Sequence, residues 1–229
     1  MSFCLFIIHH DGPAFQPSAA AWDNLARLLK SIPALTKAHL YTPDQASDPF
    51  LNDGPPPPFA LQLYFPTLPA LEAAAAHDGP LQRLVGDQAL LSLAGASVSQ
   101  QAMLVRDFAV PDPTLRHAPH CTYLVGYEGP AEDLNAWHGH YLAHHPPIMA
   151  TMPGLRELEI YTRVDWVSFL PWKRDDLMQR NKVAFDDAAA LTAALNSPVR
   201  QAMRADYNKF PPFAGKTTHF PMTTRVLRP

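Results

Sequence analysis

The stretch HYLAHHPPIMATMPGL, His140 to Leu155, places three of the chain's eleven histidines within six residues and runs them into a double proline. Imidazole is the side chain whose charge changes near neutral pH, so the cluster is suited either to holding a metal or to moving a proton. His140 and His144, at i and i+4, could chelate a metal from one helix face, but HYLAH lacks the Glu that an HExxH site uses as general base. No metal is expected here. Counted at roughly 100° per residue from Leu134, the side chains of Trp137, His138, Tyr141, Leu142 and His145 fall within about 80° of it, whereas His140 lies near 240° and His144 near 280°. His140 is therefore expected on the solvated face and His145 on the packed stripe, where a buried ring satisfied by one hydrogen bond is the alternative to a functional one. Pro146 and Pro147 predict a helix end at His144 or His145, because proline cannot donate to the helix ladder and disfavours the α region in the residue before it. An inward-aimed His145 at that terminus would sit beside unsatisfied carbonyls, a placement that suits a proton-transfer group.

The elements that must position this histidine emerge from an internal repeat. At a shift of 120 residues IPALTKAHLYT (Ile32 to Thr42) lies on MPGLRELEIYT (Met152 to Thr162), and the same shift pairs Phe65 with Phe185, Leu71 with Leu191 and Ala94-Gly95 with Ala214-Gly215. Gly12-Pro13 matches Gly129-Pro130 at 117, so the second copy carries three extra residues, and they fall in the histidine-rich stretch. Each copy predicts the order βαββαβ. Strands are expected at Phe3 to His9, Phe59 to Phe65, Ser97 to Val105, Thr122 to Tyr127, Lys182 to Phe185 and Thr217 to Leu227, with a further strand ending in Tyr-Thr in each copy. Helices are expected at Ser18 to Lys30, Leu68 to Ala76, Leu81 to Asp87, Glu132 to His144, Asp187 to Leu195 and Val199 to Lys209. The organisation is then a first repeat over 1–107, a proline-rich connector over 108–119 and a second repeat over 120–229. FCLFII and ALQLYF are apolar at successive positions, so both strand faces should be covered, one by helices and the other by the second sheet. The expected fold class is α+β, two ferredoxin-like repeats packed sheet to sheet into a barrel within one chain.

With 47% apolar residues, 17% charged residues and a formal charge of −3 without basic runs, the chain offers no electrostatic footprint for nucleic acid or an anionic membrane. Phe3 to Ile8 is too short for a signal peptide and lacks a cationic leader, and no stretch reaches the roughly 18 apolar residues of a membrane span. Two cysteines without CxxC spacing make no disulfide framework, which fits a cytoplasmic location.

The segment AWHGHYLAHHPPIMATMPGL resembles the EthD family, in which an aromatic-bearing helix ends in His-x-Pro-hydrophobic and is followed by Pro-Gly; His145-Pro146-Pro147-Ile148 and Pro153-Gly154 fill those slots. The resemblance covers Leu134 to Tyr161 and implies a dimeric α+β barrel, usually built from two chains but here similar to two fused units. AWDNLARLLKSIPAL in the first copy has no histidine before Pro33, so any site there is lost. What the resemblance implies about function is a small apolar or aromatic ligand and a cofactor-free enzyme of monooxygenase, isomerase or decarboxylase type, with a haem enzyme as a weaker reading. A non-catalytic binding protein serving a partner oxygenase is the alternative. The expected site has His145 as acid or base and Tyr161 as hydrogen-bond donor, with a structural hydroxyl as the alternative for Tyr161 because Tyr41 matches it. Trp137, His138, Tyr141, Trp166 and His219 are the expected binding residues, and His9-His10 are further candidates. The chain is expected to be a monomer with an internal pseudo-dimer, or a homodimer.

Overall fold

Runs of branched and aromatic residues become strands covered on both sides. In the computed structural model, which describes residues 2–13, 15–87, 89–93 and 95–229, nine strands form: β1 (Ser2–His9), β2 (Lys37–Pro43), β3 (Phe59–Phe65), β4 (Val98–Phe108), β5 (His120–Tyr127), β6 (Leu155–Arg163), β7 (Lys173–Arg174), β8 (Gln179–Phe185) and β9 (Thr217–Leu227). Eight of them close a barrel in the order β1-β3-β2-β9-β5-β8-β6-β4, with β4 returning to β1 and every pair antiparallel. The two-residue β7 adds a parallel edge to β4. Within each half the strands lie in the same spatial order, β4-β1-β3-β2 in the first and β9-β5-β8-β6 in the second, and β2–β9 and β4–β6 are the seams. Alternation then sorts the side chains. Cys4, Phe6, Tyr64, Met103, Tyr161 and Met222 fill the barrel, and Leu5, Ile7, Leu61 and Leu63 turn outward to the helices.

The helices begin where short polar side chains satisfy their first free N–H groups: Ser18 before α1 (Ala19–Lys30), Thr67 before α2 (Leu68–Ala74), Asp133 before α3 (Leu134–Met149) and Asp187 before α4 (Ala188–Leu195). Pro198 opens α5 (Pro198–Tyr207), where its missing N–H costs nothing. Among the described residues no helix is long and apolar enough to cross a membrane.

Four expectations need correction or limit. The histidine helix does not end at His144 or His145 but runs one turn further, through both prolines, to Met149. Pro146 and Pro147 leave the carbonyls of Leu142 and Ala143 without ladder donors, and Ala143 is exposed, so solvent can serve it, while Ala150 N–H resumes the ladder by donating to Pro146 O at 2.8 Å. Strand β8 starts at Gln179, before the expected Lys182, because its polar first residues hide from a pattern search for apolar runs. The expected helix at Leu81 to Asp87 is a 3₁₀ turn over Pro80–Leu84. Ala94 of the repeat pairing lies outside the described residues.

The repeat reaches the backbone. Gly154 precedes β6 at φ +75°, and Ala34, its counterpart 120 residues earlier, is held at φ +59°, a left-handed conformation uncommon for a residue with a Cβ. The loops after β2 and β6 also correspond, and each crosses to the opposite half. Trp166 and Leu170 are buried in the apolar core of the first half, whereas Ala46 packs against that of the second.

Candidate active site

Between the outer face of β5, β8 and β9 and helices α3 and α5 lies a cavity of about 340 Å³. That is the lower end of the range for small-ligand sites. Val125, Val183, Met149, Met152, Leu195 and Met203 make it apolar, and Phe50 and Leu51 reach it from the crossing loop of the first half. Polar side chains join them: His145 from α3, Asn181 from β8, Arg200, Arg204 and Tyr207 from α5 with Asn208 after it, Tyr123 and Tyr127 from β5, and Thr217 and His219 from β9.

His145 is buried, 4% exposed. Its Nδ1 lies 2.8 Å from Oδ2 of buried Asp206, and the other oxygen of Asp206 is 3.3 Å from Nε2 of His140. Where the carboxylate accepts the Nδ1 proton, the neutral ring keeps its lone pair on Nε2, which makes no hydrogen bond among the described residues. Burial pushes the His145 pKa below its ordinary value, and Asp206 pulls it only part of the way back. The ring is therefore neutral at pH 7 and basic at the atom left to a ligand. Aromatic edges hold it in place, Tyr141 at 5.0 Å and Phe210 at 5.2 Å between ring centroids.

The cationic side of the cavity is held from the first half. Asp48 accepts from Arg200 Nη2 at 3.0 Å and from Tyr123 Oη at 3.1 Å, and Asp53 pairs with His219 Nδ1 at 2.9 Å. Phe50 lies under Arg204, 4.7 Å from guanidinium carbon to ring centroid.

Of the residues expected from the sequence, His145 and His219 line this cavity together. Trp137 and Tyr141 stand behind it, fully buried and stacked at 5.1 Å, and Tyr141 Oη accepts from Asn181 Nδ2 at 2.6 Å. His138 is half-buried beside Trp137 with its Nε2 unpartnered, away from the cavity lining. Tyr161 is not brought to His145. Strand alternation turns it into the barrel, where its hydroxyl donates to Glu159 and lies 3.2 Å from that of Tyr64. Burial, with the Glu159 charge beside it, pushes its pKa well above the phenolic value. Trp166 is likewise no wall of this site, since its loop carries it into the first half. His140 is not on a fully solvated face: its side chain is 23% exposed because α5 packs against α3 and offers it Asp206. His9 is buried against Phe59 with neither ring nitrogen bonded, and His10 meets Ser99 Oγ at 2.6 Å. Among the described residues no three His, Cys, Asp or Glu side chains are grouped to hold a metal ion.

Sequence reasoning missed Asp206, Asn181 and Arg200. Asp206 had a legible signal, for it occupies the i+7 position of a stripe begun by Val199 and Met203, an acid where an amphipathic helix places an apolar side chain. Asn181 stands where the shift of 120 puts Leu61 in the first copy, another polar residue in an apolar slot.

No family profile and no curated protein matches the chain. Solved structures do. An anthrone oxidase-like protein superposes with a TM-score of 0.63 at 11% identity, covering 98% of this chain and 92% of its own. A protein provisionally named a monooxygenase, from Fusobacterium nucleatum, gives 0.60 at 6% identity, covering 99% of this chain and 94% of its own. An EthD family protein from Bacillus halodurans is 26% identical over 47% of this chain and 95% of its own, with a TM-score of 0.35. The first two likenesses show a shared fold, an α+β chain whose eight antiparallel strands close a barrel.

Proposed function

We propose that the chain is an enzyme that moves a proton on a small aromatic or apolar compound bearing a carbonyl or phenolic oxygen. The observation that carries this reading is the His145–Asp206 pair on the wall of an apolar cavity. In the step that the geometry supports, Nε2 of neutral His145 takes a proton from a C–H beside a carbonyl, or from a phenol, and the electron pair stays on the substrate as an enolate or phenolate. Arg200 and Arg204 stand on the same cavity to offset that negative charge, and Asp206 offsets the imidazolium. Return of the proton to another carbon is isomerisation; where a phenolate bears a carboxylate, return of the proton to the carbon carrying it lets carbon dioxide leave and the C–C bonding pair restore the ring, which is decarboxylation. Reaction of the anion with molecular oxygen as co-substrate is the oxidative outcome, in line with the names of the similar oxidase-like and monooxygenase-named proteins. None of the three requires a bound cofactor of this chain. Tyr161 has no part in the step.

The two halves are, in this reading, ferredoxin-like repeats, supported by their equal strand order and by the paired left-handed turns at Ala34 and Gly154. A barrel closed within the chain buries both sheets, so a monomer suffices. The free, buried Cys4 and Cys121 suit a reducing cytoplasm.

The test is turnover of aryl ketones and phenols, anthrone first, by the chain and by His145→Gln. The expected loss is about 10²-fold or more with the fold intact, the scale of general acid–base catalysis. Activity should also fall as pH drops through the His145 pKa, below the ordinary 6.5, since the base is consumed. Equal turnover in both proteins would overturn the proposal. Saturable binding without turnover, weakened by only about 1–2 kcal/mol in the variant, would favour a binding protein instead.

A further inference from the structure

A second cavity, of about 560 Å³, opens at one mouth of the barrel and is lined by Ile8, Leu124, Gly126, Arg180 and Phe220. It lies apart from His145, and the reaction above does not use it. Its floor is a guanidinium. Arg180 alternates along β8 with the outward Asn181 and so points into the barrel, its side chain 12% exposed and its charge 5.2 Å from the Phe6 ring centroid. Among the described residues one of its five N–H donors meets an acceptor, Asp175 Oδ2 at 3.2 Å, and Nε is buried without a partner. Asp175 is already engaged, because the same oxygen accepts from Ser99 Oγ at 2.5 Å, and that hydroxyl meets His10 Nε2. A buried N–H left unmet is costly, so the guanidinium, although paired with Asp175, has room for an acceptor that the described residues do not supply.

Gly126 keeps the approach open. A Cβ there would stand 2.8 Å from Leu177 Cδ2 and 3.8 Å from Arg180 Nη1, closing the flank of the guanidinium. The walls combine apolar Ile8, Leu124, Leu177 and Phe220 with the charged Glu128, Asp175 and Lys173, and the apolar share suits an anion carrying a hydrophobic body better than a small, strongly hydrated one. We propose that the barrel mouth binds a monocarboxylate with an aromatic or short alkyl body, its carboxylate accepting from Arg180 and its body against Leu124 and Phe220. Guanidinium is matched to carboxylate by planarity and charge-assisted hydrogen bonds.

Benzoate and its neutral counterpart benzyl alcohol are the probes, titrated calorimetrically at neutral pH into the full chain, Arg180→Met and His145→Gln. Benzoate should bind saturably with a dissociation constant of about 1 mM or tighter. Binding should weaken at least about tenfold in Arg180→Met and for benzyl alcohol, the loss expected for a charge-assisted hydrogen bond, and stay unchanged in His145→Gln. In the unaltered protein benzoate should shift the amide resonances of Leu124, Gly126 and Phe220, a readout that holds even if Arg180→Met fails to fold. Absence of saturable binding, equal binding of the two probes, or shifts centred on His145 and Asp206 would each overturn the proposal.

Discussion

Among the described residues the space between sheet and helices is filled by apolar side chains in the first half and holds a cavity in the second. On the first side Phe15 packs on Phe59 at 4.0 Å between centroids and edge-on to Trp22 at 5.4 Å, and Leu25, Leu29 and Leu61 are wholly buried. On the second side Asn181 replaces Leu61 and the cavity opens beside it. The crossing loops complete the contrast. Trp166 and Leu170 come over from the second half to fill the first, whereas their counterparts at the shift of 120, Ala46 and Phe50, leave the second unfilled, with Phe50 41% exposed. A cavity arises here by leaving apolar volume out, with His145 on its wall and Asp206 behind the ring, whereas the equivalent space of the other copy is filled by apolar side chains.

The contrast breaks most visibly at the crossing loops. Trp166→Ala should open a void in the solid half and cost about 3–5 kcal/mol in urea-induced unfolding, whereas Phe50→Ala, half in solvent already, should cost less than about 1 kcal/mol. Comparable costs would show that the two loops are equivalent after all.

The buried histidines sharpen the comparison next. Burial, with His10 nearby, pushes the His9 pKa down to about 4. The folded value lies below the unfolded one, near 6.5, so the neutral ring's full stability is present above pH 6.5 and is lost as pH falls toward 4. At pH 5 His9→Leu should therefore be more stable than the parent by about 2 kcal/mol beyond any difference at pH 8, measured by thermal or urea unfolding. A pH-independent difference would show that His9 is hydrated in the solid half.

The smallest effect belongs to the matched turns. Ala34→Gly should stabilise the first half by up to about 1 kcal/mol, the left-handed strain relieved less the added freedom of the unfolded chain, whereas Gly154→Ala should destabilise the second by a similar amount. Denaturation midpoints decide it, and a loss at Ala34→Gly would mean that the turn carries no strain.

Much of the architecture was legible because it depends on local pattern. Strand runs apolar at successive positions, the βαββαβ order and one register shared by two copies point to the closed barrel that forms. The inward side of His145 was legible too, by its angle on the helix, although Pro146 and Pro147 do not end the helix there. What the chain determined by itself was thus the periodicity of each element and the side on which each residue lies. The tertiary structure alone decided which distant residues meet: Asp206 with His145 across 61 positions, Asp48 with Arg200 across 152, Trp166 in the opposite half and Tyr161 inside the barrel, away from the cavity. Periodicity is a property of neighbours along the chain, whereas a hydrogen bond between α3 and α5 exists only once both helices lie on the same sheet, and no spacing in the sequence encodes that distance.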